Sequence, residues 1–371
     1  MKILVAGDFC PQYRVANLFE KGEYQSVLGE VKDILSNVDY SIVNFECPVV
    51  EGNGEKIKKC GPNLCCSTES FKAIKWVGFN AVTLANNHIR DYGEEGIQKT
   101  ISKCKQFNID YVGCGYNLKE ASQILYKRIN DQTIAIINCC EQEFSIATSK
   151  NAGSNPLEPI RQFYAIRKAK EKADYVIVIV HGGHEMYQLP STRMQETYRF
   201  FVDSGADAVI NHHQHCFSGY EMYNNKPILY GLGNFCFDKK IKKDSIWYEG
   251  YMVILDFSQE INITIIPYVQ CKENPSISLL DNSDKMQVLE RITILNKIIS
   301  DKDLLIEKEN NYYTNCKSWS ASCFLSNNKI INTLIRRGVL PLRLSENRKL
   351  KLYNAILCES HLEKIKFYLS N

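Results

Sequence analysis

The chain has 371 residues, a length that favours one large domain with a smaller appendage over a single core. Hydrophobic residues make up 44% and charged residues 23%, ordinary values for a folded chain that exclude general disorder. Lys and Arg number 45 against 42 Asp and Glu, and a net charge of +3 gives no case for a nucleic-acid-binding face.

From the N-terminus, residues 3–6 form a short apolar run that predicts a first strand. Residues 27–35 carry a helical stripe at Val27, Leu28, Val31, Ile34 and Leu35. Strands are predicted at 41–45 and 81–85, a helix at 96–107, a strand at 133–137 and a helix at 161–172. A strand at 175–180, a helix at 193–204 and a strand at 208–210 follow. The strand runs lack polar alternation, so both of their faces should be buried, and their alternation with helices predicts an α/β fold. Residues 252–257 and 261–269 read as a strand pair closing the first domain. The turn-rich Lys272-Glu273-Asn274-Pro275-Ser276 then places a boundary near 272, giving domains 1–271 and 272–371. The second region is expected to be mainly helical, with one stripe at Val288, Leu289, Ile292, Leu295 and Ile299 and another at Leu352, Ile356, Ile365 and Leu369.

No window approaches the roughly 18 apolar residues of a membrane span, and the start of the chain lacks the apolar stretch of a secretory signal, so a cytoplasmic location is expected. The 15 cysteines, clustered at Cys60, Cys65 and Cys66 and at Cys139 and Cys140, have neither zinc-ribbon nor thioredoxin spacing. They read as free thiols, most of them small buried hydrophobes.

The polar residues at the strand ends carry the functional signal. The first strand ends in Gly7-Asp8, the second in Asn44-Phe45-Glu46 and the third in Asn86-Asn87-His88 with Asp91 beyond. The 175–180 strand runs into His181-Gly182-Gly183-His184-Glu185, and the 208–210 strand into Asn211-His212-His213-Gln214-His215. Each piece alone has an ordinary structural reading: a Gly-Asp turn, a hydrogen-bonded His, a solvated Glu. Five strands delivering a metal-competent side chain at the carboxyl edge, where open α/β sheets bind ligands, point instead to a metal site. Carboxylate, amide oxygen and imidazole suit one or two Mn, Fe or Zn ions, and two such ions roughly 3.5–4 Å apart can clamp a phosphoryl group. Glu46 is the candidate bridging carboxylate. His88 would stand beside the metals as general acid, with Asp91 orienting it.

These stretches resemble the CapA, or PgsA-like, family of capsule and poly-γ-glutamate synthesis proteins. The resemblance rests on Gly7-Asp8, Asn44-Phe45-Glu46-Cys47-Pro48 and Ala85-Asn86-Asn87-His88-Ile89-Arg90-Asp91-Tyr92-Gly93. It continues through His181-Gly182-Gly183-His184-Glu185, Gly205-Ala206-Asp207, His212-His213-Gln214-His215 and the stretch from Lys226 to Asn234-Phe235. It covers roughly residues 1–270. The family looks like a divergent branch of the calcineurin-like metallophosphoesterases, which implies a four-layer αββα sandwich. It also implies Asp8, Glu46, Asn87, His181, His213 and His215 as metal ligands and His88 in the place of the superfamily's acid. Asn234 would line or support the site, and Glu185 is grouped with it as substrate-binding or supporting. The sequence departs from the wider pattern at Cys10, which takes the position of a histidine, at Glu46 in place of an aspartate, and at Asn211 and Gln214.

The function so implied is a metal-dependent phosphoesterase of capsule, exopolysaccharide or polyglutamate synthesis, acting on a phosphorylated or polyanionic molecule or polymer. The alternatives are a non-catalytic accessory protein that binds polymer or a capsule-synthesis partner protein, and amide-bond chemistry on polyglutamate. Lys56, Lys58 and Lys59 form a basic loop, either a solvated surface or an anion-binding lip over the metals. Arg336, Arg337 and residues 343–351 make the C-terminal region basic, chiefly as helix surface. Cys10 is either a soft ligand or a packed thiol. Since every candidate ligand precedes residue 272, the C-terminal helices are expected to be dispensable for the metal site.

Overall fold

A computed structural model describes residues 1–59, 61–242, 244–258, 260–315 and 329–341. An eight-stranded sheet runs in the order β16 (Ile277–Leu279), β15 (Ile261–Gln270), β14 (Glu249–Phe257), β1 (Lys2–Phe9), β2 (Tyr40–Phe45), β3 (Ala81–Thr83), β4 (Asp110–Val112), with β13 (Asn234–Cys236) paired to the end of β1. A six-stranded sheet runs β11 (Tyr220–Tyr223), β12 (Lys226–Leu229), β10 (Ala208–His212), β9 (Tyr175–His181), β7 (Gln132–Cys140), β6 (Leu125–Ile129). A short pair, β5 (Cys114–Gly115) and β8 (Gly153–Ser154), stands apart. The interior strands β1 to β4 run parallel, as do β7, β9, β10 and β12, so each sheet presents its carboxyl ends along one edge.

Strand alternation sorts the core into three layers. Leu4 and Ala6 of β1 face α1 (Tyr13–Glu20), α2 (Tyr24–Ser36), α3 (Glu69–Val77) and α4 (Gly93–Gln106), whose Phe19, Val31, Phe71 and Ile97 cover one face of the larger sheet. Ile3 and Val5 point the other way and meet Ile134, Ile177 and Ile210, so the two sheets pack face to face. On the outer face of the smaller sheet, Val176, Val178 and Val209 pack under α6 (Pro159–Lys170) and α7 (Thr192–Asp203). The order helix, sheet, sheet, helix is the four-layer αββα sandwich that the family resemblance implies. The single-turn α5 (Leu118–Ala121) lies beside β5 and β8.

The strand pair at β14 and β15 closes the larger sheet against β1 as expected, but the compact unit runs on to Ile306, past 272. The helix α8 (Asn282–Ser300) puts Val288 and Ile292 into the layer between the sheets and Ile299 into the layer beneath α7. Its Asn296 Oδ1 accepts from Tyr220 N at 2.7 Å, and Gln195 Nε2 donates to Ile299 O at 2.8 Å. Leu305, in the first turns of α9 (Lys302–Asn315), packs there too. Apart from β16, the regular elements among the described residues after 272 are helices, and the first of them belongs to the sandwich. Residues 307–371 form a second unit, in which the described part holds the rest of α9 and α10 (Lys329–Arg336). Cys60, the basic run 343–351 and the stripe from Leu352 to Leu369 lie outside the described residues. No helix among the described residues is long and apolar enough to cross a membrane.

Candidate metal centre

Two departures from regular strand geometry bring the donors together. At the end of β1 the register slips against both neighbours, between Ala6 and Asp8 on β2 and between Asp8 and Phe9 on β13. Such a bulge re-aims a side chain, and Asp8 is buried at the junction of the sheets. The preceding Gly7 allows this approach, since a Cβ there would lie 1.9 Å from Gly233 O. After β10 the chain turns through His213 (φ 92°) and His215 (φ 54°), both in the left-handed region. Non-glycine residues there carry about 1–3 kcal/mol of strain each. Gln214 Nε2 fixes the turn by donating to Tyr187 O at 2.9 Å, and both imidazoles are buried beside Asp8.

Five of the six expected ligands form two donor groups. Glu46, His181 and His213 make one, and Asp8, Glu46 and His215 the other, with ligand atoms in each group within 4.8 Å of one another. Glu46 belongs to both. It is fully buried, and neither carboxylate oxygen has a hydrogen-bond partner among the described residues. A buried, donorless carboxylate is costly unless a cation sits beside it. His181 Nε2 faces Asn87 Oδ1 at 3.1 Å, His213 Nδ1 at 3.1 Å and Glu46 Oε1 at 3.5 Å. One N–H cannot serve three acceptors, whereas a cation satisfies all of them. Asn87, the sixth expected ligand, therefore directs its amide oxygen at the first group.

The second group has a defined tautomer. Asn234 Nδ2 donates to His215 O and Trp247 O, both at 3.2 Å, which leaves its Oδ1 to accept from His215 Nδ1 at 3.0 Å. His215 then offers Nε2, 3.7 Å from Glu46 Oε1. Supporting bonds of this kind orient metal-binding imidazoles, and Asn234 has that supporting place. Asn44 Nδ2 donates to Asp8 Oδ1 at 2.7 Å and stands 3.2 Å from His181 Nδ1, tying the groups together. The donor set, oxygen and imidazole without thiolate, fits Mn, Fe or Zn ions.

The electrostatics of the two donor groups would favour a bound cation. Burial, and then the charge of Asp8, push the Glu46 carboxyl well above its usual range. Burial works in the same direction on Asp8, but His215, whose Nδ1 approaches Asp8 Oδ2 to 3.5 Å, and the nearby His212 and His181 prevail and hold it below. Burial and the neighbouring His213 hold His181 well below the usual imidazole value, and burial and His215 lower His213 to about 4. Both rings are therefore neutral at pH 7, the state in which imidazole binds metal.

His88 lies outside both donor groups. Its Nδ1 is 2.7 Å from Asp91 Oδ2, which also accepts from Leu64 N at 2.7 Å. Lys59 does not take the place of a solvated surface residue: its side chain is only 3% exposed, forms an ion pair with Asp91 and stands 3.1 Å from His88 Nδ1. Glu185 is exposed and belongs to neither donor group. Cys10 is packed, accepting from Gln12 Nε2 at 3.4 Å, and stands outside both groups.

Three neighbours of the site went unassigned in the sequence. Glu143 accepts from Asn87 Nδ2 at 3.4 Å and reaches within 3.9 Å of His213 Nε2. Glu141 accepts from Gly183 N at 3.1 Å and pairs with Arg193. Both follow β7, which runs to Cys140 rather than 137, so the strand-end rule applied one strand further would have found them. His212, quoted there without a role, stands 3.4 Å from Asp8 Oδ1.

Residues 2–239 match the family described as "Bacterial capsule synthesis protein PGA_cap". The chain belongs to this family. The "Capsule biosynthesis protein CapA" of Bacillus anthracis is 30% identical over 322 residues, spanning 84% of this chain and 78% of that protein. The "PGA biosynthesis protein CapA" of Bacillus subtilis (strain 168) is 34% identical over 236 residues, 63% of this chain and 62% of that one. Among solved structures, a phosphatase from Mycoplasma pneumoniae aligns with a TM-score of 0.45 and 16% identity, covering 72% of this chain and 93% of that one. The matched PGA_cap region contains every residue of the two donor groups and the His88–Asp91 pair.

Proposed function

We propose that the chain is a metal-dependent phosphoesterase serving capsule-type polymer synthesis. The observation that carries this reading is the pair of donor groups sharing Glu46, a buried carboxylate with no hydrogen-bond donor among the described residues. Asp8, Glu46, Asn87, His181, His213 and His215 would hold one or two divalent ions, which when bound supply Lewis acidity at a phosphoryl oxygen. His88 binds Asp91 through Nδ1, which leaves Nε2 to face the leaving oxygen; as imidazolium, a form that burial disfavours and Asp91 favours, it would carry the proton to give. Asp91 and Lys59 hold the ring, and Glu143, 41% exposed, stands at the mouth. The polymer context comes from the relatives' names, capsule and PGA biosynthesis.

The test is elemental analysis of purified protein together with a screen of phosphomonoesters and phosphodiesters. Stoichiometric metal with turnover of an aryl phosphate is expected. A filled site that turns over no phosphoester overturns the enzyme reading in favour of an accessory, polymer-binding role.

A further inference from the structure

The loop after β7 is tied into the metal centre at both ends. Glu141 N donates to His181 O at 3.0 Å, and Ser145 Oγ donates to Asn86 O at 2.6 Å. The loop thus joins the strand end that carries His181 to the turn that carries Asn87. Ser154 Oγ, donating to the same Asn86 O at 2.9 Å, reinforces the second anchor. Glu143 stands in the middle of this span with its side chain 41% exposed. An exposed carboxylate is ordinarily left to water. Here Oε1 lies 3.4 Å from Asn87 Nδ2 and 3.9 Å from His213 Nε2.

Each of these contacts is made to the atom that its partner turns away from the first donor group. Asn87 directs Oδ1, and His213 directs Nδ1, at His181 Nε2, each at 3.1 Å. Asn87 Nδ2 and His213 Nε2 face Glu143 instead. An ionised carboxylate only accepts hydrogen bonds. Beside it the Asn87 amide must present its NH2, because the flipped amide would set oxygen against oxygen. The same charge favours the His213 proton on Nε2, which frees Nδ1 for a cation. One side chain therefore governs the amide orientation of one ligand and the tautomer of another, as outer partners of metal ligands do. Asn234 fills the corresponding place for His215 in the second group.

We propose that Glu143 is a positioning residue of the metal centre, which holds Asn87 and His213 in the forms that bind the ion of the first donor group without ligating that ion itself. The inference rests on the metal-binding part of the reading above and is independent of whether the chain hydrolyses a phosphoester.

The test is calorimetric titration of chelator-treated full-length protein with Mn(II), together with the visible spectrum of the Co(II)-loaded protein, whose bands report the ligands of the ion. Glu143→Ala is expected to weaken binding of one ion by about 10–100-fold and to change the Co(II) bands, with the unfolding temperature of the metal-free protein unchanged. Glu143→Gln can still accept from Asn87 Nδ2, and it should restore the bands and most of the affinity. Glu185→Gln, which removes a charge from the neighbouring loop after β9, should bind Mn(II) like wild type. Wild-type affinity and spectrum in Glu143→Ala overturn the proposal. So does an equal loss in Glu143→Gln and Glu185→Gln, which would trace the effect to charge rather than orientation. Wild-type protein that takes up no ion overturns the metal reading itself, and the proposal with it; a loaded protein indifferent to Glu143→Ala overturns the proposal alone.

Discussion

At Glu46, burial without a donor has a measurable sign. The folded carboxyl is raised above its ordinary value of 4.5, so between the two values the native state holds a proton that the unfolded chain has lost. Stability of the metal-free protein therefore falls as pH rises through that window. Glu46→Gln is expected to raise the unfolding temperature of chelator-treated protein at pH 7 by about 2–4 °C for each kcal/mol relieved, and to abolish stabilisation by added Mn or Zn. Thermal unfolding at pH 5 and pH 7, with and without metal, decides it; an unchanged metal response would remove Glu46 from the centre. The His88 side gives a separate prediction. His88→Ala should lower turnover by roughly 10²–10⁴ while metal content stays near wild type. Lys59→Met breaks a buried ion pair with Asp91, and urea denaturation should show a loss of about 3–5 kcal/mol. Asp91→Asn affects Leu64 and Lys59 as well as His88, so its cost exceeds ring orientation.

The strand ends make the site through irregularities that a strand pattern does not contain. The close approach of β1 and β13 depends on Gly7, where a methyl group would meet backbone rather than a flexible side chain. Gly7→Ala should cost about 3 kcal/mol or more and lower metal occupancy, because Asp8 must move with the bulge. Gly29 in α2 is the contrast. Its added methyl would meet only the end of the Gln25 side chain, and a helix-interior glycine is itself unfavourable. Gly29→Ala should therefore gain about 0.5–1 kcal/mol by denaturant titration and leave metal binding unchanged. If both substitutions behave alike, the bulge does not position Asp8.

Across the whole molecule, the sandwich needs α8. Val288, Ile292 and Ile299 are buried in two of its layers, each contributing about 1.5–3 kcal/mol, a large share of an ordinary domain's stability. A chain ending at Cys271 is thus expected to fold poorly, although it keeps every donor. A chain ending at Ile306 should fold and bind metal like the full protein. Comparing circular dichroism and metal content of the two truncations checks this; full metal binding by the shorter chain would show that α8 only decorates the sandwich.

What the sequence determined by itself was the set of buried strands and the side chains at their ends. Continuous β-branched runs such as 175–180 have no stable exposed face, so they announce buried strands, and His181 must then lie at a strand end. The family motifs added the order of the layers. The tertiary structure alone decided how those ends meet. The two triads exist because a bulge, a close glycine contact and two left-handed histidines bring separate sheets together, and none of these has a period that a linear pattern can carry. It also moved Lys59 from an expected surface loop to a buried partner of Asp91, and α8 from an appendage into the core. In both cases the residue types were plain in the chain, but burial depends on what the rest of the fold packs against them.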